Sequence, residues 1–216
     1  MDKRFSIFDM DGTLVDSMAY WGRLAAEFLE RKSIPDVSPA VLEKIKPMTM
    51  TDSAAFFLQE YDLPGTAESI AAEMNAMMDE HYRRDIPLKP GVSAYLDALR
   101  QKGVSMCVVS ATSDDLMDTC LTRLGVAHHF SFLLSCEAVG VGKTRPDVYW
   151  EAAKRLGAAP EEIAVYEDAL YAAKTARDAG FHTIAVRDVS NQAHWDALTA
   201  LAHEVISDWQ ESSESL

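Results

Sequence analysis

The stretch Arg4–Ser17, RFSIFDMDGTLVDS, decides how the chain is read. Its short apolar run, Phe5, Ile7 and Phe8, leads straight into two carboxylates, Asp9 and Asp11, and then into Gly12-Thr13. An apolar run of this length that stops at a polar, glycine-containing corner reads as a buried strand ending at a loop. In open α/β sheets ligands bind beyond the carboxyl ends of strands, which places chemistry at this corner. Two carboxylates crowded at a strand end repel each other and favour a bound divalent cation. Gly12 lets the backbone turn sharply after them and approach a ligand closely. A polar strand end followed by a helix N-cap accounts for Asp16 or Ser17, but not for two carboxylates flanking Met10.

Outward from that corner, residues 16–86 read as four helices without a strand. The first, over 16–33, carries Met18, Trp21, Leu24, Ala25, Phe28 and Leu29 as one apolar stripe at helical spacing. Ser38-Pro39 offers an N-cap hydroxyl and a proline at the first helical position, and Pro47 stops that second helix. A third begins near Thr51, and Thr66 caps a fourth after the Pro64-Gly65 turn. Six of the ten methionines fall in this insert. Met74, Met77 and Met78 read as adaptable core filler. Met48 and Met50, in the interhelical loop Lys46–Met50, read equally as core or as a surface facing a substrate. Trp21 reads as core of the insert, or as a substrate wall.

From Ile86-Pro87 onward helix and strand alternate. Strands are expected at 104–109, 130–134, 163–166 and 182–186, with a short one at 205–206 and helices between them. Such alternation reads as a parallel sheet covered on both faces. Four strand ends then offer polar groups: Asp9 and Asp11, Ser110, Lys143 in the loop after the 130–134 strand, and Glu167 with Asp168. As parallel neighbours they converge on one crevice. Asp9, Glu167 and Asp168 supply hard oxygens that suit Mg²⁺, and no histidine or cysteine at these ends points to zinc. Lys143 supplies a compact positive charge and Ser110 a donor hydroxyl. Carboxylates, Mg²⁺, a lysine and a hydroxyl make a phosphoryl-transfer kit. Ser110 also reads as a simple helix cap. His128-His129, after a helix, read as solvent-facing rather than as metal ligands, and His81 and His194 as surface groups.

These motifs resemble the haloacid dehalogenase superfamily, in the branch with a helical cap inserted after the first motif. The likeness rests on FDMDGTLVDS (Phe8–Ser17), Ser110 in VVSAT, Lys143 in GVGKTRPDVY, and Glu167-Asp168 in VYEDALYAAKTARDAGF, in that order over nearly the whole chain. It implies a Rossmann-like α/β core at 1–15 and 87–216 and a four-helix cap domain at 16–86. It implies that Asp9 is the nucleophile forming an aspartyl-phosphate, and that Asp11 protonates the leaving oxygen and then deprotonates the attacking water. Mg²⁺ is implied on Asp9, the Asp11 backbone carbonyl and Asp168, with Glu167 in direct contact or one layer out. Ser110, Ala111 and Lys143 are implied at the phosphoryl oxygens, and Lys46 of the cap loop at the substrate. Thr144 stands where many relatives carry proline, and Ala172 where glycine is common; neither removes a charged group. The expected activity is a Mg²⁺-dependent phosphatase acting on a small phosphorylated metabolite. The alternative is a phosphosugar mutase of the β-phosphoglucomutase type, whose cap loop carries an arginine that IKPMTMTDS lacks. A dehalogenase lacks the second aspartate, a phosphonate hydrolase needs a cap lysine that does not stand out, and a catalytically silent binding module is the remaining reading.

The bulk properties agree. A formal charge of -14 disfavours nucleic acid or an anionic membrane as the main partner. A hydrophobic fraction of 48% over 216 residues supports a sizeable core. Cys107, Cys120 and Cys136 have no metal-ligand spacing and point to a reducing setting. Charged residues at positions 2–4 argue against a secretory leader and no apolar run is long enough to span a membrane, so a cytoplasmic monomer is expected. Glu211–Ser215 reads as a short polar tail.

Overall fold

The computed structural model describes residues 3–45, 48 and 50–214, the side chain of Glu43 excepted. The chain divides into two compact units, Met1–Met18 with Ile86–Leu216, and Ala19–Asp85. Among the described residues the first unit holds a six-stranded parallel sheet. In chain order it begins with β1 (Phe5–Phe8). The helical insert follows, with α1 (Met18–Arg31), α2 (Pro39–Ile45), α3 (Met50–Tyr61) and α4 (Ala67–Arg84). The chain then returns through α5 (Val92–Gln101), β2 (Ser105–Ser110), α6 (Asp114–Arg123), β3 (Phe130–Ser135) and α7 (Cys136–Val139). It ends with α8 (Asp147–Leu156), β4 (Ile163–Glu167), α9 (Leu170–Asp178), β5 (His182–Val186), α10 (Trp195–Leu201), β6 (Glu204–Ile206) and α11 (Trp209–Glu214).

The strand order is β3-β2-β1-β4-β5-β6. This is a Rossmann-like order, and its reversal point lies between β1 and β4, where such sheets bind ligands. Phe8 pairs with Val108 on one side and Tyr166 on the other, so the chain leaves β1, β2 and β4 at nearly one level. Alternate residues cover the two faces of the sheet. Ile7, Val109 and Val165 pack with Val148 and Tyr149 of α8 and Ala176 of α9. On the other face Phe8 stacks on Tyr166, with ring centroids 4.1 Å apart and planes 14° apart.

In the Ala19–Asp85 unit, Phe28, Leu29, Phe57, Met74, Met78 and Tyr82 are buried, and Trp21 donates to the Tyr82 hydroxyl at 3.0 Å. Thr66 and Ser69 form the reciprocal capping box that starts α4. Met50 opens α3 instead of lying in a loop. Lys46, together with Pro47 and Thr49 of the same loop, lies outside the described residues. His81 is half-buried, 2.9 Å from Asp85 and 3.3 Å from Glu27, and so less of a surface group than its sequence position implies.

The polar end of the chain also differs from the sequence reading. Glu211 belongs to α11, whose first residue, Trp209, is 4% exposed. Its ring meets Tyr95 at 4.8 Å and Tyr166 at 6.0 Å. A lone tryptophan before a polar run carries no helical period, so the tail reading could not see its anchor. Gly91 makes the docking possible: its φ is +87°, and a Cβ there would lie 2.4 Å from the Gln210 backbone nitrogen. The Trp209 ring nitrogen is buried without a hydrogen-bond partner among the described residues, so the ring acts here through packing. Trp209→Ala is therefore expected to cost about 3–5 kcal/mol in denaturant unfolding, and Trp209→Phe a small fraction of that. Equal losses for the two variants would contradict a packing role.

Candidate active site

Asp9, Ser110, Glu167 and Asp168 stand at the carboxyl ends of strands, and Lys143 reaches them from a turn. Asp9 follows β1, and its backbone N–H donates to the Tyr166 carbonyl at 3.0 Å, which locks the corner to β4. Glu167 ends β4, Asp168 follows it, Ser110 ends β2, and Lys143 stands in the turn between α7 and α8. The Lys143 ammonium lies 2.5 Å from Asp9 Oδ1 and 2.8 Å from Glu167 Oε1. Its side chain is 5% exposed, against the ordinary expectation that a loop lysine is solvated. Tyr149 from α8 donates to Glu167 Oε1 at 2.7 Å. Asp9 Oδ2 is buried and has no hydrogen-bond partner among the described residues.

Oxygens of Asp9, Glu167 and Asp168 lie within 4.8 Å of one another. Burial raises the Asp9 carboxyl, the Lys143 charge opposes that, and the neighbouring Asp11 adds to it. Burial likewise pushes Glu167 up to about 7, against the pull of Lys143. Asp168 is held well above the usual carboxylate range by burial, Asp9 and Glu167. For Lys143 burial pulls the other way, but Asp9 and Glu167 outweigh it and keep the ammonium charged. Three buried carboxylates thus share one buried cation, and the surplus of negative charge is the electrostatic signature of a cation site.

The donor set fits a hard dication. It consists of carboxylate oxygens, which Mg²⁺ prefers, and the Asp9 carboxylate also brings a buried oxygen with no hydrogen-bond partner among the described residues. Gly12 has a φ of +81°, and a Cβ on it would lie 2.4 Å from Asp168 Oδ2, so glycine is what lets the Asp168 carboxylate close against the first corner.

Asp11 is turned to a different set of partners. Ser17 donates to its Oδ1 at 2.7 Å, while Thr112 and Ser110 donate to its Oδ2 at 2.7 and 3.2 Å. Ser110 also accepts from the Thr112 N–H at 3.1 Å, and the N-cap of α6 is Ser113, so Ser110 does not cap that helix. Ala111 is exposed at the same strand end. The structure therefore brings Asp9, Lys143, Glu167 and Asp168 into one group, and Asp11 with Ser110 into hydrogen-bonding contact beside it. Sequence reasoning missed Thr112 and Tyr149, although both lie inside the quoted motifs. It also missed Lys89, whose ammonium reaches the Gly12 carbonyl, the Arg187 carbonyl at 3.0 Å and Asp188 at 2.7 Å. Asn191 was missed too; it donates to the Asp168 carbonyl at 2.6 Å and the Val186 carbonyl at 3.2 Å. Lys89 lies in a loop and Asn191 in a short 3-10 turn, Val189–His194, and only the tertiary fold reveals their partners.

A family model described as haloacid dehalogenase-like hydrolase matches residues 6–186. Among curated proteins, the chain is 28% identical over 206 residues to a bifunctional riboflavin kinase/FMN phosphatase of Arabidopsis thaliana, covering 93% of this chain and 52% of that protein. The chain thus spans about half the length of that relative. It is 27% identical over 203 residues to hexitol phosphatase A of Escherichia coli, covering 92% of this chain and 90% of that one. Among solved structures, a putative beta-phosphoglucomutase from Thermotoga maritima shares the fold with a TM-score of 0.83 at 20% identity, covering 98% of this chain and 97% of that one. Motif order, sheet topology and the matched span agree, and the chain belongs to the haloacid dehalogenase-like hydrolases.

Proposed function

We propose that this chain is a Mg²⁺-dependent phosphatase that hydrolyses a small phosphomonoester through a phosphoaspartate on Asp9. The observation that carries the reading is the state of Asp9: Oδ1 is held by Lys143, Oδ2 is buried with no hydrogen-bond partner among the described residues, and the carboxylate stands in one group with Glu167 and Asp168. The phosphatase relatives support the activity, and the acidic group supports the cation. The domains are proposed as a catalytic α/β core over 1–15 and 87–216 and a helical cap over 16–86. The mutase alternative draws on a likeness that speaks for the fold, and no group in the described site favours it.

Bound at Asp9, Asp168 and Glu167, Mg²⁺ would supply charge neutralisation for the phosphoryl oxygens. Asp9 attacks phosphorus with a carboxylate oxygen; the bond to the leaving oxygen breaks, and Asp11 delivers a proton to that oxygen. In the second half Asp11 takes a proton from water, the water oxygen bonds to phosphorus, and the acyl-phosphate bond breaks to return Asp9 and free phosphate. Lys143 offsets the repulsion between the attacking carboxylate and the phosphate dianion, and holds Asp9 in place. Ser17, Ser110 and Thr112 fix the direction in which the Asp11 carboxylate faces.

Two outcomes test this reading. Asp9→Asn is expected to lower Mg²⁺-dependent hydrolysis of p-nitrophenyl phosphate by at least ~10⁴-fold, with unfolding unimpaired; wild-type turnover in that variant would overturn the nucleophile assignment. The second outcome concerns pH. Glu167 is raised from 4.5 to about 7, so the metal-free fold holds its proton more tightly than the unfolded chain does. The stability this contributes is present below about pH 4.5 and is lost as pH rises through about 7. Protons and the cation compete for the same oxygens, so added Mg²⁺ should raise Tm strongly at pH 8 and hardly at pH 5. Thermal unfolding that gains equally from Mg²⁺ at both pH values would contradict the acidic group as the binding site.

A further inference from the structure

His128 and His129 end a short 3-10 turn, Ala127–His129, that leads into the amino end of β3. The site described above lies at the carboxyl ends of the strands, so this turn stands at the opposite end of the sheet. The sequence reading puts both histidines in solvent, but the structure does not. His128 is exposed, whereas the His129 side chain is 1% exposed. The two rings lie with centroids 4.0 Å apart and planes 37° apart. Asp97 projects toward them from α5, its Oδ1 lying 3.5 Å from His129 Nε2.

The buried imidazole is poorly satisfied. Nε2 is too far from Asp97 for a good hydrogen bond, and Nδ1 has no partner among the described residues. A metal ion takes one ring nitrogen, and Nε2 is the one that faces the Asp97 carboxylate across a gap too long for a good hydrogen bond. One candidate ligand atom from each of Asp97, His128 and His129 lies within 4.8 Å of the others. Two imidazoles and a carboxylate from two neighbouring elements, open to water on the His128 side, make an incomplete coordination shell.

We propose that Asp97, His128 and His129 bind one borderline transition-metal dication of the zinc class, with water completing its coordination. Arg100, which donates to the His128 carbonyl at 3.4 Å, places a positive charge nearby. That charge works against a weakly held hard cation, so binding rests on the imidazole nitrogens, which prefer Zn²⁺, Ni²⁺ or Cu²⁺ to Mg²⁺. The bound ion ties the middle of α5 to the start of β3 and so braces the end of the sheet away from the catalytic carboxylates.

Calorimetric titration of metal-stripped full-length protein with Zn²⁺, in buffer containing excess Mg²⁺ to occupy the acidic group, tests the proposal. One equivalent of zinc should bind, and both His128→Asn and Asp97→Asn should weaken it by at least ~10-fold. These two positions are exposed, so the variants should fold, and their Mg²⁺-dependent turnover without zinc should match wild type. Replacing Zn²⁺ with Co²⁺ should give visible ligand-field absorption in the wild type that both variants lose. Absence of binding in the wild type, or unchanged binding and absorption in both variants, would overturn the site.

Discussion

The contact between the Lys143 ammonium and the carboxylates of Asp9 and Glu167 is the interaction on which the rest of the core depends. Both acids and the lysine are almost fully buried, and Asp168 adds a further carboxylate to the group. Removing charges from water is unfavourable unless partners replace the lost hydration, and one ammonium cannot replace it for three acids. The fold therefore holds a cluster whose carboxyl groups keep their protons more tightly than usual. A structure designed for stability would fill this volume with apolar side chains. The persistence of the cluster is a physical argument for a bound cation and a charged ligand.

The sheet explains how residues so distant in sequence can meet. β1 lies between β2 and β4, so the corners after Phe8, Val109 and Tyr166 are neighbours. Gly12 keeps the first corner thin enough for Asp168 to close against it. Lys89 and Asp188 then tie that corner to the loop after β5, and Asn191 ties the same loop to the backbone of Asp168. Burial raises the Asp188 carboxyl, but Lys89 and Ser190 outweigh it and hold the group below its ordinary range, so the tie is a charged one. These carboxylates are thus held by a frame that takes no part in the chemistry proposed for them.

Much of this was legible in the sequence because local chemistry and global fold agree. The apolar runs that end in Asp9, Ser110 and Glu167 mark strands by composition and mark their ends by polarity, and each became a strand end in the sheet. Lys143 was legible through its motif, since a lone loop lysine has no pattern that predicts burial. The limits are equally physical. His129 is buried by the packing of α5 against its turn, Trp209 by an aromatic cluster drawn from three other segments, and Asn191 by a loop contact; none of these leaves a period in the sequence. The partners of Asp11 are a finer case. Its neighbours Ser17, Ser110 and Thr112 all stand in the recognised motifs, but only the fold shows that their hydroxyls converge on one carboxylate.

The central claim is that Asp9 becomes covalently phosphorylated. Its most direct test uses acetyl phosphate, whose acetate leaves without needing a proton, and an Asp11→Asn variant that cannot activate water for the second step. Acid quenching during Mg²⁺-dependent turnover, followed by peptide mass spectrometry, is predicted to find phosphate on the peptide that carries Asp9. Phosphate on another residue, or turnover in that variant with no phosphorylated peptide at all, would contradict the account.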